Sequence, residues 1–256
     1  MVEKLKILEL FSGTESFSKV ARERGHETFT VDSDSQFNPD LCKDILEVTP
    51  EEIPFKPDVI WASPPCTKFS VMTIYRNWEK IGKSFYRPKN KETIHAMEMV
   101  KKTLSLIKEM KPKFWFIENP RAMLRKQLFM PNEKRKTVTY CQYGLEYQKA
   151  TDIWTNLDSW IPRKICSPKS PCHIRAPRGS RYGIQSGMSG FRKNRPNQKH
   201  PDISMLNISN KNSSVLRAVV PRELCLEIIK ACENLYQLIG IKEILDSMKQ
   251  ELKELK

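Results

Sequence analysis

Two short stretches of this chain carry the residue types of covalent catalysis. Ser63-Pro64-Pro65-Cys66 follows the apolar run Val59-Ile60-Trp61, and Glu118-Asn119-Pro120 follows Phe114-Trp115-Phe116-Ile117 farther along. A deprotonated thiol can add to an electron-poor ring, and a nearby carboxyl can supply the proton that such an addition calls for. Cys66 has a plainer reading as an inert buried thiol, since unpaired cysteine is among the most buried residue types. Glu118 has one as a helix cap or an ion-pair partner. Position favours chemistry, because both residues follow runs that read as strands, and α/β folds place reacting groups at the carboxyl ends of parallel strands. A carboxyl directly after Phe-Trp-Phe-Ile also sits in an apolar setting that suits proton donation.

The elements that must position these groups follow from periodicity and turn residues. Residues 6–11 read as a strand, Ser12-Gly13-Thr14 as a turn, 16–24 as a helix stopped by Gly25, and 28–31 as a second strand ending at Asp32. Such a βαβ unit builds a parallel sheet, so the expected class is α/β with a Rossmann-like sheet. Residues 58–62 and 113–117 supply two more strands, with an amphipathic helix over 92–110 before the second. Residues 137–143 and 150–155, joined through Gly144, suit an antiparallel edge. From 160 to 212, Pro, Gly, Arg, Lys and Ser dominate and apolar periodicity disappears, which predicts a small loop-rich insertion. Helical periodicity returns over 215–236, so residues 1–159 form the main domain and 213–240 complete it. The tail 241–256 reads as an amphipathic helix that packs on the domain or pairs with a second copy; packing, and a monomer, are the expectation.

Composition narrows the partners. The 256 residues carry a formal net charge of +14, which points to a polyanion, because each Lys or Arg set against a phosphate releases a condensed counterion. Charge alone does not separate DNA from RNA. No apolar run approaches the ~20 residues needed to cross a bilayer, and the N-terminus lacks a signal-peptide core, so a cytoplasmic protein is expected. Seven cysteines fit reduced thiols better than a disulfide framework. Cys166, Cys172 and His173, with Cys141 as a fourth, match no standard zinc spacing, and no metal is expected from them.

The cofactor signal is modest residue by residue. Phe11-Ser12-Gly13-Thr14 holds one glycine, weaker than a full Gly-rich fingerprint, and reads equally as a mere turn. Asp32 stands where a carboxylate can take the hydroxyls of a cofactor ribose, or where a turn aspartate belongs. As a set, however, Phe11-Ser12-Gly13, Asp32, Asp44-Ile45, Pro65-Cys66 and Glu118-Asn119 resemble, in order and approximate spacing, the DNA cytosine-5 methyltransferases. The likeness spans residues 5–156 and, more loosely, the helix after Val215. It implies a cofactor-binding catalytic domain and S-adenosylmethionine as cofactor. Phe11 would lie near the adenine, Ser12, Gly13, Thr14 and Pro64 would line the same site, Asp32 would hold the ribose, and Asp44 and Ile45 would contact the adenine. It further implies Cys66 as nucleophile, Glu118 as the grip on the base, DNA as partner, and a target base extruded from the duplex. Residues 67–91, with Tyr75, Trp78 and Tyr86, would be a mobile loop closing over that base.

The chain departs from that pattern at several places. The usual Gln-x-Arg-x-Arg run appears as Tyr147-Gln148-Lys149-Ala150-Thr151-Asp152, with neither arginine. Glu15 replaces a glycine of the cofactor turn, and Leu216-Arg217-Ala218-Val219 stands for a late Gly-Asn element. Target recognition would fall to 160–212, through Arg163, Lys164, Arg175, Arg178, Arg181, Arg192, Lys193, Arg195 and Lys199. Three other readings stay open: a DNA-binding protein without turnover, an RNA methyltransferase, and an amino methyltransferase. The last is suggested by Ser63-Pro64-Pro65-Cys66, but Cys66 stands where those enzymes need an aromatic residue.

Overall fold

The computed structural model describes residues 3–174, 215 and 218–254. Its parallel strands are β1 (Lys6–Leu10), β2 (Glu27–Asp32), β3 (Leu41–Cys42) and β4 (Val59–Ala62). β5 (Trp78–Lys80) and β6 (Tyr86–Pro88), preceded by the short helix α2 (Ile74–Asn77), pair as a separate hairpin. β7 (Phe114–Pro120), β8 (Arg135–Thr139) and β9 (Ala150–Thr155) finish the main sheet, whose order is β3-β2-β1-β4-β7-β9-β8. β9 runs antiparallel to both of its neighbours, as the Gly144 connection predicts. The expected strand over 137–143 stops at Thr139, because Tyr140–Tyr143 tightens into a 3-10 turn capped by Gly144.

Burial on both faces explains the near-continuous apolar runs. Along β4, Val59 and Trp61 enter one layer of the core while Ile60 and Ala62 enter the other. The first layer lies under α1 (Ser16–Glu23) and α4 (Arg222–Glu254), and Phe17 stacks on Trp61 there with ring centroids 4.6 Å apart. The second lies under α3 (Lys91–Met110), which buries Val100, Leu106 and Ile107 and is capped by Asn90, whose side chain accepts from Thr93 N at 2.9 Å.

The start of α1 is held from outside the helix. Glu15 offers no side-chain cap; instead the carboxylate of Glu9, buried on β1, accepts from Phe17 N at 3.3 Å and Ser18 N at 2.7 Å. Orphan amides and the positive end of the helix dipole favour an anion there. Burial nevertheless dominates and pushes the Glu9 carboxyl up to about 7, against the lowering by the Ser18 and Phe17 bonds. At the other end of α1, Arg24 donates to Glu233 through Nε at 2.6 Å and Nη2 at 2.7 Å, and His26 Nε2 lies 2.8 Å from the same carboxylate. This cluster pins α4 to the turn between α1 and β2.

Two expectations change. Helix α4 runs unbroken through Gly240, whose cost of about 1 kcal/mol in a helix interior is outweighed by the helix formers around it. Leu238, Ile241 and Leu245 are exposed, so these residues do not pack on the domain. The stretch 67–91 is a folded segment: Trp78 is buried against Phe69, ring centroids 5.9 Å apart, and donates from Nε1 to Lys68 O at 2.6 Å. Trp78 is thus an anchor, whereas Tyr75 is exposed. No described helix is long and apolar enough to cross a membrane.

Candidate active site

Parallel register delivers the strand ends to one edge. Leu10 lies opposite Val31 and Ala62, and Ala62 opposite Ile117, so the segments after β1, β2, β4 and β7 emerge together. After β4 the chain turns through Ser63-Pro64-Pro65 into a 3-10 turn, Cys66–Lys68. Ser63 N donates to Leu10 O at 3.2 Å and Trp61 Nε1 to Ser63 Oγ at 2.9 Å, which fixes the base of the turn. Pro64 is buried and Cys66 partly buried. From the end of β7, Asn119 Nδ2 donates to Pro64 O at 2.9 Å in a buried hydrogen bond. The segment carrying the thiol and the segment carrying the carboxylate are therefore tied to each other two residues from Cys66 and one from Glu118.

Glu118 is 4% exposed and surrounded by donors. Tyr140 OH donates to Oε1 at 2.7 Å, and Lys149 Nζ lies 3.6 Å from the same oxygen and 4.5 Å from the centre of the Tyr140 ring. Burial, reinforced by the Glu118 charge, pushes the Tyr140 hydroxyl well above its usual range, so it stays a donor. Sequence reasoning missed both partners. Lys149 falls in the stretch where the arginines are lacking, and that position was the available signal. Arg125 makes a two-pronged ion pair with buried Asp152, which also accepts from Thr137 Oγ1 at 2.8 Å.

The turn after β1 has an unusual backbone. Phe11, Gly13 and Glu15 all take positive φ, at 56°, 44° and 54°, a conformation that costs non-glycine residues of order 1–3 kcal/mol and persists where surroundings impose it. Ser12 N donates to Val31 O at 3.1 Å and Gly13 N to Asp32 Oδ2 at 2.8 Å, while Asp34 N donates to Asp32 Oδ1 at 2.9 Å. Asp32 thus braces two loops, and each of its oxygens retains a further lone pair. β3 pairs with β2 at Asp32 and Cys42, which brings Asp44 and buried Ile45 to the same edge; Asp44 Oδ1 accepts from Leu46 N at 2.9 Å. Thr14 is buried with Oγ1 3.0 Å from Ser16 Oγ. Ser12 Oγ is buried without a partner among the described residues, and a Cβ on Gly13 would meet nothing within 4 Å. An orphaned hydroxyl, an open approach to backbone and a carboxylate with spare acceptors fit a nucleoside-bearing cofactor.

The described start of the expected recognition segment is tied to α4 and to the turn after β8. Trp160 is buried, and Arg163 donates to Glu223, Glu227 and Gln142 O while its guanidinium lies 4.6 Å from the Tyr143 ring centre. Lys164 is exposed. Arg175, Arg178, Arg181, Arg192, Lys193, Arg195, Lys199, Leu216 and Arg217 lie outside the described residues.

Comparisons with known proteins give the family and the fold. Residues 5–148 match the family described as C-5 cytosine-specific DNA methylase. Over 174 residues, 66% of this chain and 78% of the relative, the sequence is 32% identical to a Frog virus 3 (isolate Goorha) protein named as a probable DNA (cytosine-5)-methyltransferase. Among solved structures, the Entamoeba histolytica methyltransferase EhMeth aligns over 91% of this chain and 98% of its own, with TM-score 0.52 and 12% identity, a likeness of fold. The Dnmt2 methyltransferase of S. pombe aligns over 60% of this chain and 49% of its own, with TM-score 0.40 and 15% identity. The chain spans about half the length of the first solved structures it matches.

Proposed function

Because the chain belongs to the C-5 cytosine-specific DNA methylase family, we propose that it methylates carbon 5 of cytosine in DNA by covalent catalysis through Cys66. The observation that carries this reading is the buried Asn119 to Pro64 hydrogen bond, which couples the segment of partly buried Cys66 to that of a buried carboxylate at one sheet edge. Carbon 5 of cytosine is a poor nucleophile. The Cys66 thiolate adds to carbon 6, and the electron pair of the 5,6 double bond moves to carbon 5. Glu118 holds the ring at nitrogen 3, where a proton or hydrogen bond stabilises the enamine-like ring that results. Tyr140 and Lys149 both contact Oε1, and Oε2 would be the oxygen that meets the base. Lys149 and Tyr140 keep that carboxylate oriented, the part an arginine plays elsewhere in the family. After transfer, loss of the hydrogen on carbon 5 lets Cys66 leave and restores the double bond.

S-adenosylmethionine, when bound, supplies the methyl group. Ser12, Gly13, Thr14 and Pro64 would line its site, Asp32 would take the ribose hydroxyls, and Phe11, Asp44 and Ile45 would meet the adenine. Addition to carbon 6 requires access to both faces of the ring, so the cytosine must leave the base stack.

The test is incubation of unmodified DNA with S-adenosylmethionine, followed by sequencing that reads 5-methylcytosine directly, for the wild type and Cys66→Ser, with RNA as competitor. The expected result is methylation at carbon 5 in DNA, lowered at least about a thousandfold by the substitution. Methyl groups on an exocyclic amine, methylation confined to RNA, or DNA binding with no transfer would each refute it in favour of one of the other readings.

A further inference from the structure

Away from the strand edge, the fold gathers thiols that lie far apart in sequence. Cys141 sits in the turn Tyr140–Tyr143 after β8, and Cys166, Cys172 and His173 belong to the segment leaving β9. The sulfurs of Cys141, Cys166 and Cys172 all lie within 4.8 Å of one another. Cys172 Sγ is 3.6 Å from Cys141 Sγ, and Cys166 Sγ is 3.3 Å from His173 Nδ1. In a tetrahedral zinc site, Zn–S of about 2.3 Å and Zn–N of about 2.0 Å give sulfur–sulfur edges of about 3.8 Å and sulfur–nitrogen edges of about 3.5 Å. Both observed edges come close to those lengths; the mutual 4.8 Å set holds the three sulfurs only, so the His173 ring turns further inward to complete the sphere.

We propose that Cys141, Cys166, Cys172 and His173 bind one structural zinc ion. Three thiolates and an imidazole are a zinc donor set, and four protein ligands close the coordination sphere, which marks a structural site rather than a catalytic one. The loop is shaped in advance. Cys166 N donates to Thr139 Oγ1 at 2.9 Å, Ser170 N to Ser167 O, His173 N to Ser170 O and Ser167 N to Ser170 Oγ, each at 2.9 Å. A metal-bound histidine needs an acceptor for its other ring N–H. Glu146 lines the same space, and its Oε2 is buried without a hydrogen-bond partner among the described residues. The three thiols give up their protons to solvent on binding. The ion staples the chain, just before residue 175, to the turn whose Tyr140 holds Glu118, and so fixes where the basic segment leaves the catalytic sheet.

The sequence spacing argues against such a site because the ligands come from two segments and two of them are adjacent; the spatial arrangement restores the case. Zinc binding does not depend on methyl transfer, so its test reads the metal itself. Wild-type protein purified in the presence of zinc, then analysed by mass spectrometry for metals, is expected to carry about one zinc ion per chain. Metal-free protein titrated with cobalt should develop a thiolate-to-cobalt charge-transfer band, and zinc should displace it. Cys166→Ser and His173→Ala are expected to lose most of the zinc, and Cys42→Ser, an exposed cysteine outside the cluster, to keep it. The cobalt spectrum of the wild type decides the matter even if the variants fail to fold. A zinc-free wild type that yields no cobalt band, or a Cys141–Cys172 disulfide in its place under reducing conditions, overturns the proposal.

Discussion

At Glu118 a single buried carboxylate oxygen serves two donors, a phenol at 2.7 Å and an ammonium at 3.6 Å. In a low-dielectric setting such contacts fix the direction of the group. Lys149 lies in the stretch that lacks the two arginines, and its ammonium is a point charge on a flexible stem, whereas a guanidinium is a planar fork. It is steadied here by the Tyr140 ring, 4.5 Å away. Lys149→Met is therefore expected to lower kcat about a hundredfold, the typical size for one preorganised electrostatic partner, and Lys149→Arg to restore most of it. Single-turnover kinetics with saturating DNA would check this. An unchanged rate in the Met variant would remove Lys149 from the site.

At the scale of elements, α1 depends on a strand residue for its first turn. The Glu9 carboxyl has a value of about 7 in the folded chain against 4.5 for the exposed group, so the folded state binds the proton more tightly. The stabilisation that this linkage adds is fully present below pH 4.5 and is lost as pH rises through about 7. Its upper size is about 3 kcal/mol. Urea denaturation at mildly acidic and mildly alkaline pH should show the wild type weakening toward the alkaline side, and Glu9→Gln should flatten that slope; an equal slope in both would contradict it. Glu9 was not legible in the sequence, since one acidic residue in an apolar run looks like a solvent-facing position. The strands, α3, the turn of Cys66 and the end of β7 were legible, because periodicity and the Pro-Pro and Glu-Asn-Pro punctuation are local signals. Lys149 against Glu118, Trp78 against Phe69 and Cys141 against Cys172 are pairings set by chain reversal, which no local pattern encodes. The hairpin of β5 and β6 was hidden by its basic, mixed composition.

For the whole molecule, the charge of +14 favours a polyanion, and the salt slope of the proposed DNA binding counts only those cations that meet phosphates. Arg163 is bound to Glu223 and Glu227 on α4 and stacked on Tyr143, but these pairs are solvent-screened, so Arg163→Ala is expected to destabilise the fold by about 1 kcal/mol at most and leave the salt slope of DNA binding unchanged. A slope reduced by about one in that variant, measured by titration across salt concentrations, would instead make Arg163 a phosphate contact. The central claim concerns the bond between Cys66 sulfur and carbon 6 of the base. DNA carrying 5-fluorocytosine traps that bond, because fluorine on carbon 5 cannot be removed as a proton and the thiol cannot leave. Incubation of the wild type with this DNA and S-adenosylmethionine should yield an adduct that survives denaturation and maps by peptide mass to Cys66, absent in Cys66→Ser. Methylation of ordinary DNA with no adduct on the fluorinated substrate, or an adduct that persists in Cys66→Ser, would contradict it.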